Sequence, residues 1–197
     1  MILLNFVQDN QTQFAARVKA IAAEIGINPN WLMGVMYKES RLNHQARNPI
    51  SGATGLIQFM PDTAAAMGTT TTALAAMTNV QQLEFVRGYL LPYRNKINSF
   101  EDTYFAVFFP AAIGKPDDYV LQTNRLSAAL IAAQNPGMDF NKDRKITVAE
   151  VKEWLYSGFG PEIQNQLKKK SDVTQALPTL TVIAIAALII YNIFKKH

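Results

Sequence analysis

Cysteine is absent from the 197 residues, which excludes disulfide scaffolds, thiolate nucleophiles and cysteine-ligated zinc or iron–sulfur centres. Imidazole is scarce: His44 and His197 are the two histidines, too few for a histidine-built metal site and a poor start for a serine–histidine triad. Charged residues make up 17% of the chain and hydrophobic ones 49%, a balance outside both the disordered and the multi-span membrane classes. A broad basic face is also lacking. The net charge is +4, yet residues 1–160 hold 14 Lys/Arg against 13 Asp/Glu, so most of the excess lies beyond them. So neutral a body predicts no nucleic-acid partner. The chemistry has to run on carboxylates.

Strand-like alternation is missing as well, and the body reads as a string of helices. An apolar period of three to four runs from Phe14 through Val18, Ile21 and Ile25, with Gly26 as its stop. Asn28 followed by Pro29 has the chemistry of a helix start. Pro61 opens a further helix that Gly68 closes, and helical stretches are predicted at about 79–95, 100–109, 118–133 and 148–157. The fold class predicted is all-α over residues 1–160.

Two segments stand outside that body. Residues 161–176, rich in Gln and Lys, read as a juxtamembrane helix or stalk. Leu177–Phe194 carries no charge over 18 residues and is flanked by Lys168–Lys170 and by Lys195 and Lys196. At about 1.5 Å per residue it spans roughly 27 Å, so a single C-terminal transmembrane helix and a lipid partner are expected. Met1–Asn5 has no basic region and too short an apolar run for a secretory signal.

On the helix begun by Pro29, Leu32, Val35, Met36 and Glu39 fall at i, i+3, i+4 and i+7. A carboxylate on an apolar stripe is desolvated, its pKa rises, and it can serve as a general acid. The alternative is a helix-end glutamate bent out to water. The loop Arg47–Gly55 contains a proline and two glycines, whose backbone can approach a ligand closely. Gln58 then offers a donor and an acceptor to sugar hydroxyls or N-acetyl groups.

Glu39-Ser40, then Gly55-Leu56-Ile57-Gln58 with Pro61 three residues on, resembles the signature of the soluble lytic transglycosylase (lysozyme-like) domain family. The likeness continues through Gln81-Gln82-Leu83, Val86 and Tyr89-Leu90 and covers about residues 10–135. Phage-encoded members are similar in Glu101–Tyr104, in Pro110–Pro116 and in the acidic segment after Pro136. The resemblance implies a lysozyme-like fold and cleavage of the β-1,4 bond between N-acetylmuramic acid and N-acetylglucosamine in peptidoglycan, leaving a 1,6-anhydro end. It implies Glu39 as the catalytic acid/base and Ser40, Gly55, Gln58, Phe59, Met60 and Tyr104 as the substrate-binding set. A membrane-anchored phage virion enzyme for wall entry, alongside other virion proteins, is the setting expected. A hydrolytic muramidase and a non-catalytic lysozyme-like virion membrane protein are the rival readings. Where many members place a tyrosine that bonds the glutamate, this chain has Ala106–Ala111 without hydroxyl or amide. Tyr37, Tyr89 or Tyr104 supplies the contact, or the glutamate is oriented differently.

Asp139–Glu150 is a twelve-residue stretch with Asp139, Asn141, Asp143, Lys145, Thr147 and Glu150 at positions 1, 3, 5, 7, 9 and 12 of an EF-hand loop. Oxygen ligands at that spacing suit a structural Ca²⁺ ion, Lys145 giving its carbonyl. Position 6 is Arg144 where the loop usually has glycine. The competing account is a helix start, with Thr147 and Glu150 as a capping box.

Overall fold

The computed structural model describes residues 1–170. Among them are the helices α1 (Gln11–Ile25), α2 (Pro29–Ser40), α3 (Pro61–Ala66), α4 (Thr71–Ala76), α5 (Asn79–Leu90), α6 (Phe100–Phe108), α7 (Ala128–Gln134), α8 (Val148–Ser157) and α9 (Pro161–Leu167). Extended backbone among the described residues is limited to isolated bridges such as Arg47 with Thr54 and Val120 with Thr147. The body is therefore all-α, in keeping with a lysozyme-like fold.

α2 is the central strut. The Asn28 side chain accepts the Asn30 amide at 2.9 Å, and Pro29 occupies the first turn, where its missing N–H costs nothing. Trp31 to Met36 are then buried without a break, because α1, α6 and α9 pack around this helix. On α1 the predicted stripe of Phe14, Val18, Ile21 and Ile25 is buried, and Gly26 ends the helix at φ 84°. α2 ends more unusually, with Arg41 and Leu42 both in the left-handed region at φ 57° and 63°.

Three expectations change. Residues 118–133 are not one helix: 117–121 run alongside 146–149, with Leu121 N–H on the Ile146 carbonyl at 2.8 Å and Val148 N–H on Tyr119 at 3.0 Å. The apolar spacing of Tyr119, Val120 and Leu121 serves that pairing, and the helix starts only where Ser127 caps it. The segment expected as a juxtamembrane helix or stalk begins with α9, whose Leu167 is 1% exposed and whose Leu167 carbonyl accepts Trp31 Nε1–H at 2.8 Å. α9 is packed onto the body.

The transmembrane helix is the third. No helix among the described residues is long and apolar enough to cross a membrane. α1, at 15 residues, reaches about 22 Å against a hydrocarbon core of about 30 Å. The stretch 177–194 lies outside the described residues. The single-pass anchor, with the virion-membrane location that rested on it, is withdrawn.

Gly34 marks the tightest helix contact. A Cβ there would sit 2.7 Å from the Phe100 ring and 2.9 Å from Leu167, both side chains being fully buried. Gly34→Ala is expected to destabilise the fold by roughly 1–3 kcal/mol through overpacking, despite alanine's better helix propensity. Chemical denaturation measures it.

Candidate active site

Glu39 stands in the last turn of α2, one turn beyond the buried Val35 and Met36. Burial is the dominant influence on its carboxyl and pushes the pKa from 4.5 up to about 7, against a hydrogen bond from Tyr104 and the nearby charge of Lys38, which both pull it down. The amphipathic spacing therefore does place an acid where its neutral form persists near neutral pH. Each of the other influences on Glu39 comes from a hydroxyl or a cation, and none from a second carboxylate.

Tyr104, on α6, is the tyrosine that reaches the glutamate. It is 2% exposed, and burial together with the adjacent Glu39 holds its hydroxyl protonated well above the usual tyrosine range. It therefore serves as a donor to the carboxyl rather than as an open surface for a sugar. Phe108 stacks on its ring at 5.5 Å and Trp154 lies at 5.7 Å. The missing hydroxyl of the 106–111 stretch is thus supplied by the preceding turn of the same helix.

The residues flanking Glu39 are tied in different directions. Lys38 Nζ donates to the Trp154 carbonyl at 2.9 Å and lies 3.6 Å from the centre of the Trp154 ring. Its burial lowers its pKa to about 8. Ser40 Oγ lies 3.0 Å from the carbonyls of both Met36 and Leu56. With one proton to share between them, it links the end of α2 to the glycine loop. Ser40 is buried at 7% exposure, so it braces the loop.

That loop folds back on itself through Thr54, whose N–H and carbonyl both pair with Phe59. Gly55 sits at φ 87°, and a Cβ there would be 2.5 Å from Gln82 Oε1, so conformation and space both demand glycine. Gln58 also has a positive φ, 51°, and its Nε2 donates to the carbonyls of Ala46 and Gly55 at 3.2 and 3.1 Å. Ile57, Gln58, Phe59, Met60, Thr63, Tyr89 and Val107 line a crevice of about 50 Å³. That volume suits a small substituent and is too little for a sugar ring. Tyr89, one of its lining residues, also feels the Glu39 charge. Of the expected substrate set, Phe59 is buried beneath the crevice at 2% exposure and Met60 stands open at its rim at 47%. Trp31 and Trp154 both pack inward, as core residues.

One residue entered the sequence reading only as part of the family likeness, with no role attached. Gln82 is fully buried; its Oε1 accepts Leu56 N–H at 2.9 Å, and its Nε2 donates to the carbonyls of His44 and Leu74 at 2.6 and 2.7 Å. The available signal was a glutamine beside Leu83 on the face of α5 that also carries Val86 and Leu90, where a polar side chain requires partners.

Residues 17–84 match the family model of the transglycosylase SLT domain. Over this segment the chain is similar to the SLT domain. No curated protein matches the chain. The SLT segment contains Glu39, Ser40, the glycine loop and Gln82, whereas Tyr89, Tyr104 and the 139–150 loop lie beyond it. With the match comes a lytic-transglycosylase-like function directed at peptidoglycan.

Two outcomes follow. Gln82→Leu strips partners from three backbone groups and is expected to cost about 2–5 kcal/mol in urea unfolding. Glu39→Gln is expected to stabilise the protein at pH 8 and to change little at pH 4. A carboxyl with a raised folded pKa loses stability as pH climbs from 4.5 to about 7. The ionised form therefore carries a penalty of up to about 3 kcal/mol. Thermal melts of both proteins across that range measure it.

Proposed function

We propose that the chain cleaves the β-1,4 bond between N-acetylmuramic acid and N-acetylglucosamine as a lytic transglycosylase, with Glu39 as its single catalytic acid/base. The observation that carries this reading is one carboxylic acid kept neutral by burial, with no carboxylate partner influencing it and with its charge felt by Tyr89 of the crevice that Gln58 also lines. Ordinary glycosidases need two flanking carboxylates, one as acid and one as base or nucleophile. A lone acid suits a route in which the substrate supplies its own nucleophile.

In that route protonated Glu39 gives its proton to the glycosidic oxygen as the bond from the anomeric carbon to that oxygen breaks. The resulting carboxylate then takes the proton of the muramyl 6-hydroxyl while its oxygen bonds to the anomeric carbon. The 1,6-anhydro ring closes, Glu39 is again protonated, and no water is consumed. Tyr104 supports the ionised interval, because its buried hydroxyl donates to the carboxylate when the negative charge appears. Gly55 and Gln58 border the space beside the acid, where backbone and amide groups meet sugar substituents.

Digestion of purified peptidoglycan followed by mass spectrometry is the test. Anhydro ends, lighter than reducing ends by one water, are expected; reducing ends would make the enzyme a hydrolytic muramidase. Glu39→Gln is expected to lose at least about 10²-fold in rate, and the wild-type rate to fall as pH rises past about 7, where Glu39 loses its proton.

A further inference from the structure

Two buried carboxylate oxygens have no hydrogen-bond partner among the described residues: Asp139 Oδ1 and Glu150 Oε1. They belong to the first and last residues of the same twelve-residue loop. Glu150 is 9% exposed. Its other oxygen, Oε2, is occupied by Thr147 N–H and Thr147 Oγ–H, both at 2.8 Å. The capping box at the start of α8 thus accounts for one oxygen of Glu150 and leaves the second buried and idle. Such an oxygen carries the full cost of desolvation unless something else meets it.

No lysine or arginine among the described residues pairs with Asp139, Asp143 or Glu150, although Lys142, Arg144 and Lys145 are in the same loop. The backbone between the two acids is already curled. Asp139 Oδ2 accepts the Arg144 amide at 3.1 Å, Asn141 Oδ1 that of Asp143 at 2.9 Å, and Asp143 Oδ1 that of Lys145 at 2.9 Å. Arg144 takes φ 68°, so the turn usually given to glycine is made here by an arginine. Ile146 is fully buried, and its carbonyl is held by Leu121.

We propose that residues 139–150 bind a Ca²⁺ ion through Asp139, Asn141, Asp143, the Lys145 carbonyl, Thr147 and Glu150. Glu150 Oε1 and Asp139 Oδ1 are the oxygens waiting for it. Hard oxygen donors from carboxylates, an amide, a carbonyl and a hydroxyl fit Ca²⁺. Among the described residues no three His, Asp or Glu side chains converge on one point, and binding requires the loop to tighten on the ion. The three basic residues place the affinity at the weak end for such loops, with a Kd of about 10⁻⁵–10⁻³ M. The ion then pins 117–121 and the loop to α8, whose Trp154 backs Tyr104 and Lys38.

Calcium-stripped full chain titrated with CaCl₂ in a calorimeter, and melted with CaCl₂ or with NaCl of equal ionic strength, tests this without reference to catalysis. Saturable binding of one ion and a rise of roughly 3–6 °C specific to Ca²⁺ are expected. Asp139→Asn and Glu150→Gln, which keep the shapes of the side chains, are each expected to weaken binding at least tenfold, with Glu162→Gln as a control outside the loop. No saturable binding to the wild-type chain would overturn the proposal. Binding that both loop variants retain in full would overturn it too. Should a variant fail to fold, the wild-type titration decides.

Discussion

An acid group stays beside apolar side chains only when the chain around it is held from several sides, and here the holding is done at three consecutive positions. Lys38 is anchored to α8 through the Trp154 carbonyl and ring. Glu39 is met by Tyr104 from α6, and Ser40 is bonded to the Leu56 carbonyl in the glycine loop. Helix geometry points successive side chains about 100° apart, so one turn of α2 addresses three separate parts of the fold. The left-handed residues Arg41 and Leu42 then stop the helix abruptly. That stop leaves the carboxyl in the last turn of α2 instead of in mid-helix.

The glycine loop answers to the same constraint from the opposite side. Ser40 fixes one carbonyl of the loop, and Gln82 fixes the neighbouring amide while also binding His44 and Leu74. Gly55 is needed because Gln82 Oε1 occupies the place of its Cβ. The position of Gln58 relative to Glu39 is thus set by buried hydrogen bonds, which cost most when left half-made.

Local chemistry was readable along the chain wherever it was self-contained. Asn28 with Pro29, Thr147 with Glu150 and the stripe on α1 each specify a helix end or face from a few adjacent residues. The raised pKa of Glu39 was readable to the extent that it follows from the apolar spacing of Leu32, Val35 and Met36 on the same helix. Pairings across distance were not readable. Tyr119–Leu121 have apolar spacing that suits a helix equally well, and only Ile146–Ala149 lying alongside decides the matter. Tyr104 could be shortlisted with two other tyrosines but not chosen, because its selection depends on how α6 crosses α2. Gln82 was marked by its apolar company and by its place in the Gln81-Gln82-Leu83 likeness, but its three backbone partners come from other segments.

Lys38 raises the question of why Glu39 is not simply ionised by the ammonium next to it in sequence. A close opposite charge would favour the carboxylate. The ammonium, however, spends its hydrogen-bonding capacity on the Trp154 carbonyl and its charge on the indole face. At adjacent helix positions the two side chains point apart, so Lys38 contributes less to the Glu39 carboxyl than either burial or Tyr104 does. Burial prevails, and the acid keeps its proton. The Trp154 contact therefore acts on the Glu39 carboxyl by occupying the cation that would otherwise favour its ionised form. This links the electrostatics of the cleft to the placement of α8, and so to the loop from which that helix starts.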